Sequence, residues 1–249
     1  MLKTKVALLA LACAVVSCTA AEGSVEANLR KVVEPRLGDG AKIVSVKKTP
    51  YAGLYEIVAD GNIIYTDKDG EYLFFGQMFN TRTRQNLTKA RLDIVNRIEF
   101  STLPFESALK TVKGDGKRVM AIFEDPNCGY CKHFRKTTLK EIDNVTVYTF
   151  MLNILSDDSF VKSKNIWCAA DRNKAWDEWM VEGKMAPSAP ENCETPNAKI
   201  SALAQRYGIN ATPAIFFADG TRIPGAIDLA GLEAKFKTVK VAGTVKPPK

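Results

Sequence analysis

The sequence predicts a small α+β unit followed by a larger α/β domain. In the second part of the chain, a strand, a helix, a strand, several helices, a hairpin and a final helix follow one another, which is typical of a three-layer α/β domain. The continuous apolar run from Val119 to Phe123 is typical of a strand that is covered on both faces. With 46% hydrophobic and 25% charged residues among 249, the chain has a globular composition, which excludes a disordered or fibrous protein.

Residues 1–20 have the order of a secretory signal peptide. Two lysines precede an apolar stretch at residues 6–16, and small residues follow up to Ala21. The apolar stretch is shorter than the roughly 20 residues that a spanning helix needs, so we expect export and cleavage rather than a membrane anchor. Residues 15–18 also resemble the lipobox of bacterial lipoproteins, so lipid attachment at Cys18 remains an alternative.

The charge balance argues against a nucleic-acid-binding protein. Removal of residues 1–20 takes away two lysines and no acid, so the formal charge falls from +7 to +5. The remaining lysines are scattered and form no dense basic block interleaved with aromatic residues. We therefore expect a solvated, mildly basic surface and no nucleic-acid partner.

The first unit is predicted to consist of a helix and a β-meander. Residues 24–38 show apolar residues at helical spacing and end in a proline and a glycine. Four β-branched and aromatic runs, separated by turn signals, follow at residues 41–46, 51–59, 62–66 and 71–75. A unit of this size buries only about 60% of its surface on folding, so we expect it to need a partner and to form a homodimer.

The second unit is predicted to begin after a linker. Residues 78–84 read as irregular, and residues 87–100 read as a helix. Strands are then predicted at residues 117–124, 145–152 and 214–218, with a hairpin partner at 222–224; helices are predicted at 128–140, through most of 157–206 and at 229–239. The predicted boundaries are a signal peptide at 1–20, an N-terminal dimerisation domain at 22–80, a linker helix at 81–100, a second α/β domain at 101–241 and a tail at 242–249.

Four cysteines lie beyond the signal segment, and they divide by spacing into two pairs. Four cysteines allow three pairings, and adjacency favours Cys128 with Cys131 and Cys168 with Cys193. A chain-entropy estimate gives roughly 2 kcal/mol for the short loop and roughly 3.5 kcal/mol for the long one. The distant pair is therefore the better structural disulfide, and the close pair is free for chemistry.

The sequence Cys128-Gly129-Tyr130-Cys131 follows a predicted strand and opens a predicted helix. Backbone N–H groups at a helix start, together with the helix dipole, favour a thiolate on the first cysteine. The dipole contributes about 0.3 to 1 kcal/mol, whereas lowering a thiol pKa by two units needs about 2.7 kcal/mol. Direct hydrogen bonds to the sulfur must supply the rest. We expect an exposed Cys128 to attack a substrate disulfide and Cys131, one turn inside, to resolve the mixed disulfide.

The same spacing disfavours a metal site. A four-cysteine zinc site usually has a second closely spaced cysteine pair, whereas Cys168 and Cys193 are far apart in the sequence. His133 reads as a solvent-facing helix residue, and the three tryptophans, at positions 167, 176 and 179, read as helix packing rather than a ligand site. Thr212-Pro213 precedes an apolar strand, which is a position where proline is tolerated. We expect no metal and no cofactor.

The Cys-Gly-Tyr-Cys motif after an apolar strand, with Thr212-Pro213 before another strand, resembles the thioredoxin fold. Together with the export signal and the N-terminal α+β unit, it resembles the bacterial periplasmic disulfide isomerase family of DsbC and DsbG. Further motifs that carry the resemblance are Phe123 to Asn127, Ile166 to Asp171, Gly208 to Ala214 and Gly220 to Gly225.

The resemblance implies a V-shaped homodimer with a cystatin-like N-terminal domain and a thioredoxin domain that carries a helical insertion. It implies that Cys128 is the nucleophile, that Cys131 resolves, and that Thr212 and Pro213 form a cis-proline loop that binds substrate backbone. Cys168 and Cys193 match the family's structural disulfide. It also implies misoxidised or unfolded secreted proteins as substrates and a membrane reductant of the DsbD type.

The chain departs from the known patterns at a few positions. Thioredoxin has a buried acid six residues before its nucleophile, where this chain has Ile122, so that proton route is expected to be absent. Asn127 and Lys132 flank the motif differently from the best-known isomerase sequence, which leaves the balance of isomerase and reductase open. Alternatives are a DsbG-type reductase, a redox-independent holdase chaperone and a copper or zinc carrier.

Overall fold

The computed structural model describes residues 20–38 and 40–239. The predicted signal peptide up to residue 19, the alternative lipidation site at Cys18 and the predicted tail lie outside the described residues. The chain divides into two compact units, of which the first ends at Gly76 and the second begins at Gln77. Within the described ranges, no helix combines the length and the apolar character that crossing a membrane requires.

The first unit is a helix packed on a four-stranded antiparallel meander. Its elements are α1 (Ala20–Val33), β1 (Ile43–Lys48), β2 (Tyr55–Ala59), β3 (Asn62–Thr66) and β4 (Leu73–Phe75), and the strands lie in chain order across the sheet. Leu29 and Val33 of α1 are fully buried against the sheet, which confirms the predicted helix and meander. β2 begins four residues later than predicted because Ala52 and Gly53 both have positive φ and form a turn.

The second unit begins with a small hairpin and a short helix. β5 (Phe79–Asn80) pairs with β6 (Gln85–Asn86) in a segment predicted to be irregular, and α2 (Leu87–Val95) follows. The helix was predicted to reach residue 100 but ends earlier, because the chain turns toward the hairpin around Gly220 in the same unit. There the Ile98 N–H donates to the Gly220 carbonyl oxygen at 3.0 Å, and a Cβ at Gly220 would collide with the Ile98 carbonyl.

Within the described residues, the rest of the second unit contains a five-stranded sheet and six α-helices. In chain order these elements are β7 (Leu109–Lys113), β8 (Arg118–Glu124), α3 (Gly129–Lys136), α4 (Thr138–Glu141), β9 (Val145–Met151), α5 (Asp157–Trp167), α6 (Arg172–Asp177), α7 (Asn197–Arg206), β10 (Ala214–Phe217), β11 (Arg222–Pro224) and α8 (Leu229–Thr238). A π-helical turn, Glu178–Glu182, continues α6. The strand order is β11-β10-β8-β9-β7, and of these neighbours only β8 and β9 run parallel.

Helices cover both faces of this sheet. Alternate side chains of β8 point to opposite faces and show which helices cover each face. Met120 and Ile122 pack in one buried cluster with residues of α3, α4 and α8, whereas Ala121 and Phe123 pack in another with residues of α7. This arrangement confirms the predicted three-layer α/β domain. Two sequence expectations were wrong here: β7 was missed, and the predicted helix at 128–140 is broken at Thr137, where φ is −111° and ψ is −88°.

Candidate active site

The Cys-Gly-Tyr-Cys motif joins the end of β8 to the start of α3. Cys128 is the N-cap residue of α3 with extended backbone angles, and its sulfur accepts a hydrogen bond from the Cys131 N–H at 3.2 Å. Cys128 is 4% exposed and Cys131 is 0% exposed, so the expectation of an exposed Cys128 was wrong. Two packing neighbours of the pair, Trp176 and Met180, belong to the helical insertion, which covers this corner of the domain.

The Thr212-Pro213 loop lies against this pair although it is 84 residues distant in the sequence. The Thr212-Pro213 peptide bond is cis, and the Cys128 Sγ in its protonated form donates to the Thr212 carbonyl oxygen at 3.4 Å. The loop is held from its other side, because the Gly225 N–H donates to the Pro213 carbonyl oxygen at 2.8 Å. β10 begins at the next residue and pairs antiparallel with β8, so the end of β8 and the start of β10 lie side by side at the same end of the sheet.

The pKa of Cys128 is lowered to about 6, mainly because the Cys131 side chain hydrogen-bonds its sulfur. Burial opposes this effect, and the Thr212 side chain and the backbone N–H groups of Cys131 and Tyr130 act in favour of the thiolate. These partners agree with the sequence argument that direct hydrogen bonds must supply most of the depression. At neutral pH the first cysteine is therefore largely a thiolate, which is the nucleophilic form.

The pKa of Cys131 is shifted in the opposite direction. Burial raises it most, and the Cys128 sulfur and the negative charge of Glu124 raise it further. The two sulfurs thus have unequal character, in which one is ionised and the other retains its proton. In such a pair, the Cys128 thiolate can attack a disulfide while Cys131 remains a protonated thiol.

Glu124 is a residue that the sequence reasoning missed. It lies at the end of β8, is 0% exposed, and accepts hydrogen bonds from Nε and Nη2 of Arg135 at 2.8 and 2.6 Å. Burial raises the pKa of Glu124, and Arg135 opposes that shift. Ile122 is fully buried at the position of thioredoxin's buried acid, so the acid is absent from that position, and a different buried acid, Glu124, lies two residues further on. Arg135 in turn lies one helical turn after Cys131 on α3.

Asp125 and Asn127 fix the loop before the nucleophile. The fully buried Asp125 carboxylate accepts hydrogen bonds from the N–H groups of Asn127, Ile154 and Leu155 and from the Ser159 hydroxyl, all at 2.7 to 3.0 Å. The Asn127 amide donates to Ser159 and two other residues at the start of α5. The sequence signal was an acid directly after a buried strand, which by itself does not distinguish a structural carboxylate from a catalytic one.

Cys168 and Cys193 form a disulfide with a Cα–Cα distance of 6.3 Å, within the usual range. Cys168 is the C-cap of α5, and Cys193 lies in the irregular segment before α7. Asn165 supports the same junction, because its side-chain oxygen accepts from the Ala189 N–H at 2.9 Å. This disulfide therefore joins the insertion helix to a segment without regular structure.

The other residues singled out from the sequence lie around the pair. Tyr130 is 75% exposed, Gly129 has open space where a Cβ would lie, and His133 is exposed on α3, as predicted. Trp176 is buried as predicted for packing, whereas Trp179 is only partly buried and its indole N–H donates to the Pro126 carbonyl oxygen at 2.6 Å. In the part of the chain that the structure describes, no three His, Cys, Asp or Glu side chains come together as metal ligands would.

Comparison with known proteins finds two family models along the chain. A thioredoxin-like domain matches residues 105–240, and a disulfide bond isomerase protein N-terminal domain matches residues 18–89. These matches support the predicted order of a small first domain and a thioredoxin-like second domain.

Curated relatives and a solved structure agree with these models. A probable thiol:disulfide interchange protein DsbC of Bordetella avium is 45% identical over 207 residues, which are 83% of this chain and 73% of that protein. The thiol:disulfide interchange protein DsbC of Escherichia coli K12 is 28% identical over 192 residues, 75% of this chain and 78% of that protein. A disulfide interchange protein from Neisseria gonorrhoeae superposes with a TM-score of 0.51 at 35% identity, covering 54% of this chain and 96% of the other.

Thiol–disulfide exchange needs a thiolate and a second thiol that can resolve the mixed disulfide. This site has a thiol of lowered pKa at a helix N-cap, a partner one turn away that keeps its proton, and a cis-proline loop against the first sulfur. Together with a thioredoxin-like domain over more than half of the chain and a relative at 45% identity, they lead to one assignment. The chain belongs to the DsbC family of thiol:disulfide interchange proteins and has the thioredoxin fold of a disulfide isomerase.

Proposed function

We propose that the protein is a periplasmic thiol:disulfide isomerase and reductase that rearranges or reduces non-native disulfides in secreted proteins. The observation that carries the proposal is the unequal pair, in which the pKa of Cys128 is lowered to about 6 and that of Cys131 is raised. The relatives named DsbC support the disulfide interchange reaction, and the order of residues 1–20 supports export to the periplasm.

The reaction begins with attack of the Cys128 thiolate on a substrate disulfide. A bond forms between the Cys128 sulfur and one substrate sulfur while the substrate S–S bond breaks, and the other substrate cysteine leaves as a thiolate. In isomerisation, a substrate thiolate then attacks the mixed disulfide and regenerates Cys128. In reduction, Cys131 loses its proton and attacks Cys128, which oxidises the pair and releases a reduced substrate.

Thr212 and Pro213 act in substrate binding in this proposal. Their loop contacts the Cys128 sulfur, so a substrate chain whose cysteine is bonded to Cys128 must pass over it. Ile154 and Leu155 have exposed apolar side chains and are tied to the loop before Cys128 through Asp125, and Tyr130 is exposed at the motif itself. These apolar groups are suited to an unfolded polypeptide.

The reductase branch requires a donor that returns two electrons to the Cys128–Cys131 disulfide. We assign this role to a membrane reductant of the DsbD type, because an isomerase needs a free thiolate to start and an oxidised pair would instead donate its disulfide. A single-thiol reductase of the DsbG type uses the same chemistry, and the two are separated by whether scrambled multi-disulfide substrates are restored.

The first unit, within the predicted domain at 22–80, serves as the dimerisation domain in this proposal. β4 lies at an edge of its sheet, and Phe74 and Phe75 on that strand are 52% and 71% exposed. An exposed, apolar edge strand is a template for pairing with a second chain. Phe74→Asp with Phe75→Asp is expected to convert a dimer to a monomer in analytical ultracentrifugation, with exchange on a small peptide disulfide retained. A dimer that persists in this variant would contradict the assignment of the edge.

The experiment that tests the function is Cys128→Ala in a refolding assay with a scrambled multi-disulfide substrate. We expect recovery of the native substrate to fall to the uncatalysed rate. If recovery survives this substitution, the protein acts as a holdase chaperone without redox chemistry and the enzymatic proposal is wrong. Metal analysis of the reduced protein gives a second check, since stoichiometric zinc or copper would favour a metal carrier.

A further inference from the structure

Two lysines and a tryptophan form a cationic platform beside the nucleophile. The Nζ atoms of Lys132 and Lys162 lie 4.2 and 4.3 Å from the centroid of the Trp179 ring, both within cation–π distance. Trp179 is attached to the active-site loop, because its indole N–H donates to the Pro126 carbonyl oxygen at 2.6 Å. The cationic platform, defined as Lys132, Lys162 and Trp179, is thus anchored through Trp179 to Pro126, which lies two residues before Cys128.

The two lysines differ in how their charges are balanced. Lys162 forms an ion pair with Asp158 at 2.5 Å and donates to the Asn127 side-chain oxygen at 2.8 Å. Lys132, by contrast, forms no ion pair with a carboxylate anywhere in the described ranges, and the Trp179 ring is the partner that the structure gives its Nζ. The positive charge of Lys132 is therefore available to an incoming group.

The surroundings of Lys132 also disfavour its own charge. Burial lowers the pKa of Lys132 most, and the positive charges of Lys162 and Lys136 lower it further, while the Cys128 sulfur acts in the opposite direction. An approaching anion stabilises the charged form of a lysine in such surroundings. Lys132 lies in the first turn of α3, which Cys128 caps, and the Trp179 ring beside its Nζ donates to Pro126, two residues before Cys128. An anion paired with Lys132 would therefore lie on the active-site side of the helix.

We propose, on the basis of the exchange function proposed above, that Lys132 makes the protein prefer substrate segments in which an acidic side chain adjoins the attacked disulfide. The substrate carboxylate pairs with Lys132 while the Cys128 thiolate attacks the adjoining sulfur. The bond between Cys128 and that sulfur forms as the substrate S–S bond breaks, and the departing thiolate takes a proton from water. Lys132 is a specificity-determining residue and takes no part in bond making.

The test uses three peptides with one disulfide each that are identical except for Glu, Gln or Lys next to one cysteine. The second-order rate constant of the reduced full-length protein is followed by tryptophan fluorescence at low and at high salt. One exposed ion pair changes a rate by roughly two- to fivefold, and the Lys peptide replaces the attraction with a repulsion of similar size, so we expect the Glu peptide to react about fivefold or more faster than the Lys peptide at low salt. High salt should narrow this difference, because it shortens the screening length from about 10 Å to about 3 Å between 0.1 and 1 M.

Lys132→Gln should bring the three rate constants close together, and Lys132→Arg should restore their spread. Loss of the Lys132 charge also affects the Cys128 thiolate, but that effect is common to the three peptides and cancels in their ratios. Lys136→Gln, which removes the same charge one turn further along α3, is the matched control and should preserve most of the spread. Equal rates for the three peptides in the wild-type protein, or an unchanged spread in Lys132→Gln, would overturn the inference. Failure of the exchange function itself looks different, since no peptide would react or reaction would persist in Cys128→Ala.

Discussion

The two cysteine pairs of the second unit show that solvent exposure does not indicate which pair is reactive. Cys128 and Cys131 are buried, whereas Cys168 and Cys193 are both partly exposed. The buried pair nevertheless has the features of a reactive one, because hydrogen bonds from Cys131 stabilise a thiolate on Cys128. The more exposed pair is bonded and joins a helix to an irregular segment. Hydrogen-bond partners and chain separation, rather than access to solvent, distinguish an exchange pair from a structural disulfide.

The largest effect that sharpens this comparison is expected for Cys131→Ala. Attack by Cys128 needs no second thiol, but reduction does, so the mixed disulfide should persist with a substrate of two separate chains joined by one disulfide, whose departing thiolate is not held nearby. Its lifetime should increase roughly a hundredfold or more, because an intramolecular thiol acts at a high effective concentration. Trapping on a gel and mass spectrometry would measure it. A mixed disulfide that decays at the wild-type rate would show that Cys131 is not the resolving residue.

Glu124→Gln tests the buried charge beside the exchange pair. Removal of the carboxylate leaves Arg135 with Asp177 as its remaining acidic partner, and breaking a buried pair costs about 3 to 5 kcal/mol. Urea unfolding would measure the loss, and Cys131 should titrate at lower pH because the negative charge is gone. Glu233→Gln is the control, since it breaks the more exposed pair with Arg118, which is worth about 0 to 1 kcal/mol. Equal losses in the two variants would contradict the account.

Replacement of Cys168 and Cys193 together by alanine tests the structural pair. The chain-entropy model gives a loss of about 3.5 kcal/mol for a loop of this length, measured as a shift of the urea midpoint. The alkylation midpoint of Cys128 should not move, because neither residue contacts the exchange pair's hydrogen bonds. A changed Cys128 midpoint with unchanged stability would reverse the roles assigned to the two pairs.

The smallest effect is a shift in the pH dependence of Cys128 alkylation. The pKa of Cys128 is lowered to about 6, so the thiolate is populated above that pH and is lost below it. The alkylation rate should therefore rise with pH to a midpoint near 6 and then level off. In Cys131→Ala the midpoint should move to higher pH, because the Cys131 side chain contributes most to the depression. A wild-type midpoint near that of a free thiol, about 8.5, would refute the proposed thiolate.

The sequence predicted the fold where patterns were continuous and failed where tertiary contacts decide. β3 and the buried strands beginning at Arg118 and Val145 followed from apolar runs, and the motif placed Cys128 at a helix start. β7 was missed because its edge position leaves Lys110 and Val112 exposed and weakens the pattern. The depth of Cys128 was misjudged because the helical insertion that covers it comes about 50 residues later in the chain.

The site residues divide in the same way. The cysteine spacing and Thr212-Pro213 were readable from the sequence, because each is a local pattern. Glu124, Arg135 and Trp179 were not, because their importance arises from burial and from partners that are distant in the chain. A buried acid after a strand looks the same in sequence as an exposed one in a loop, and only the position of Arg135 on α3 distinguishes them.

Thiol trapping of the protein in cells, in the periplasm where we propose that it works, tests the contrast between the two pairs most directly. Acid quenching followed by alkylation and mass spectrometry would report the redox state of all four cysteines. The account predicts that Cys128 and Cys131 are largely reduced while Cys168 and Cys193 remain bonded. A largely oxidised Cys128–Cys131 pair would indicate an oxidase instead, and a reduced Cys168–Cys193 pair would contradict its structural role.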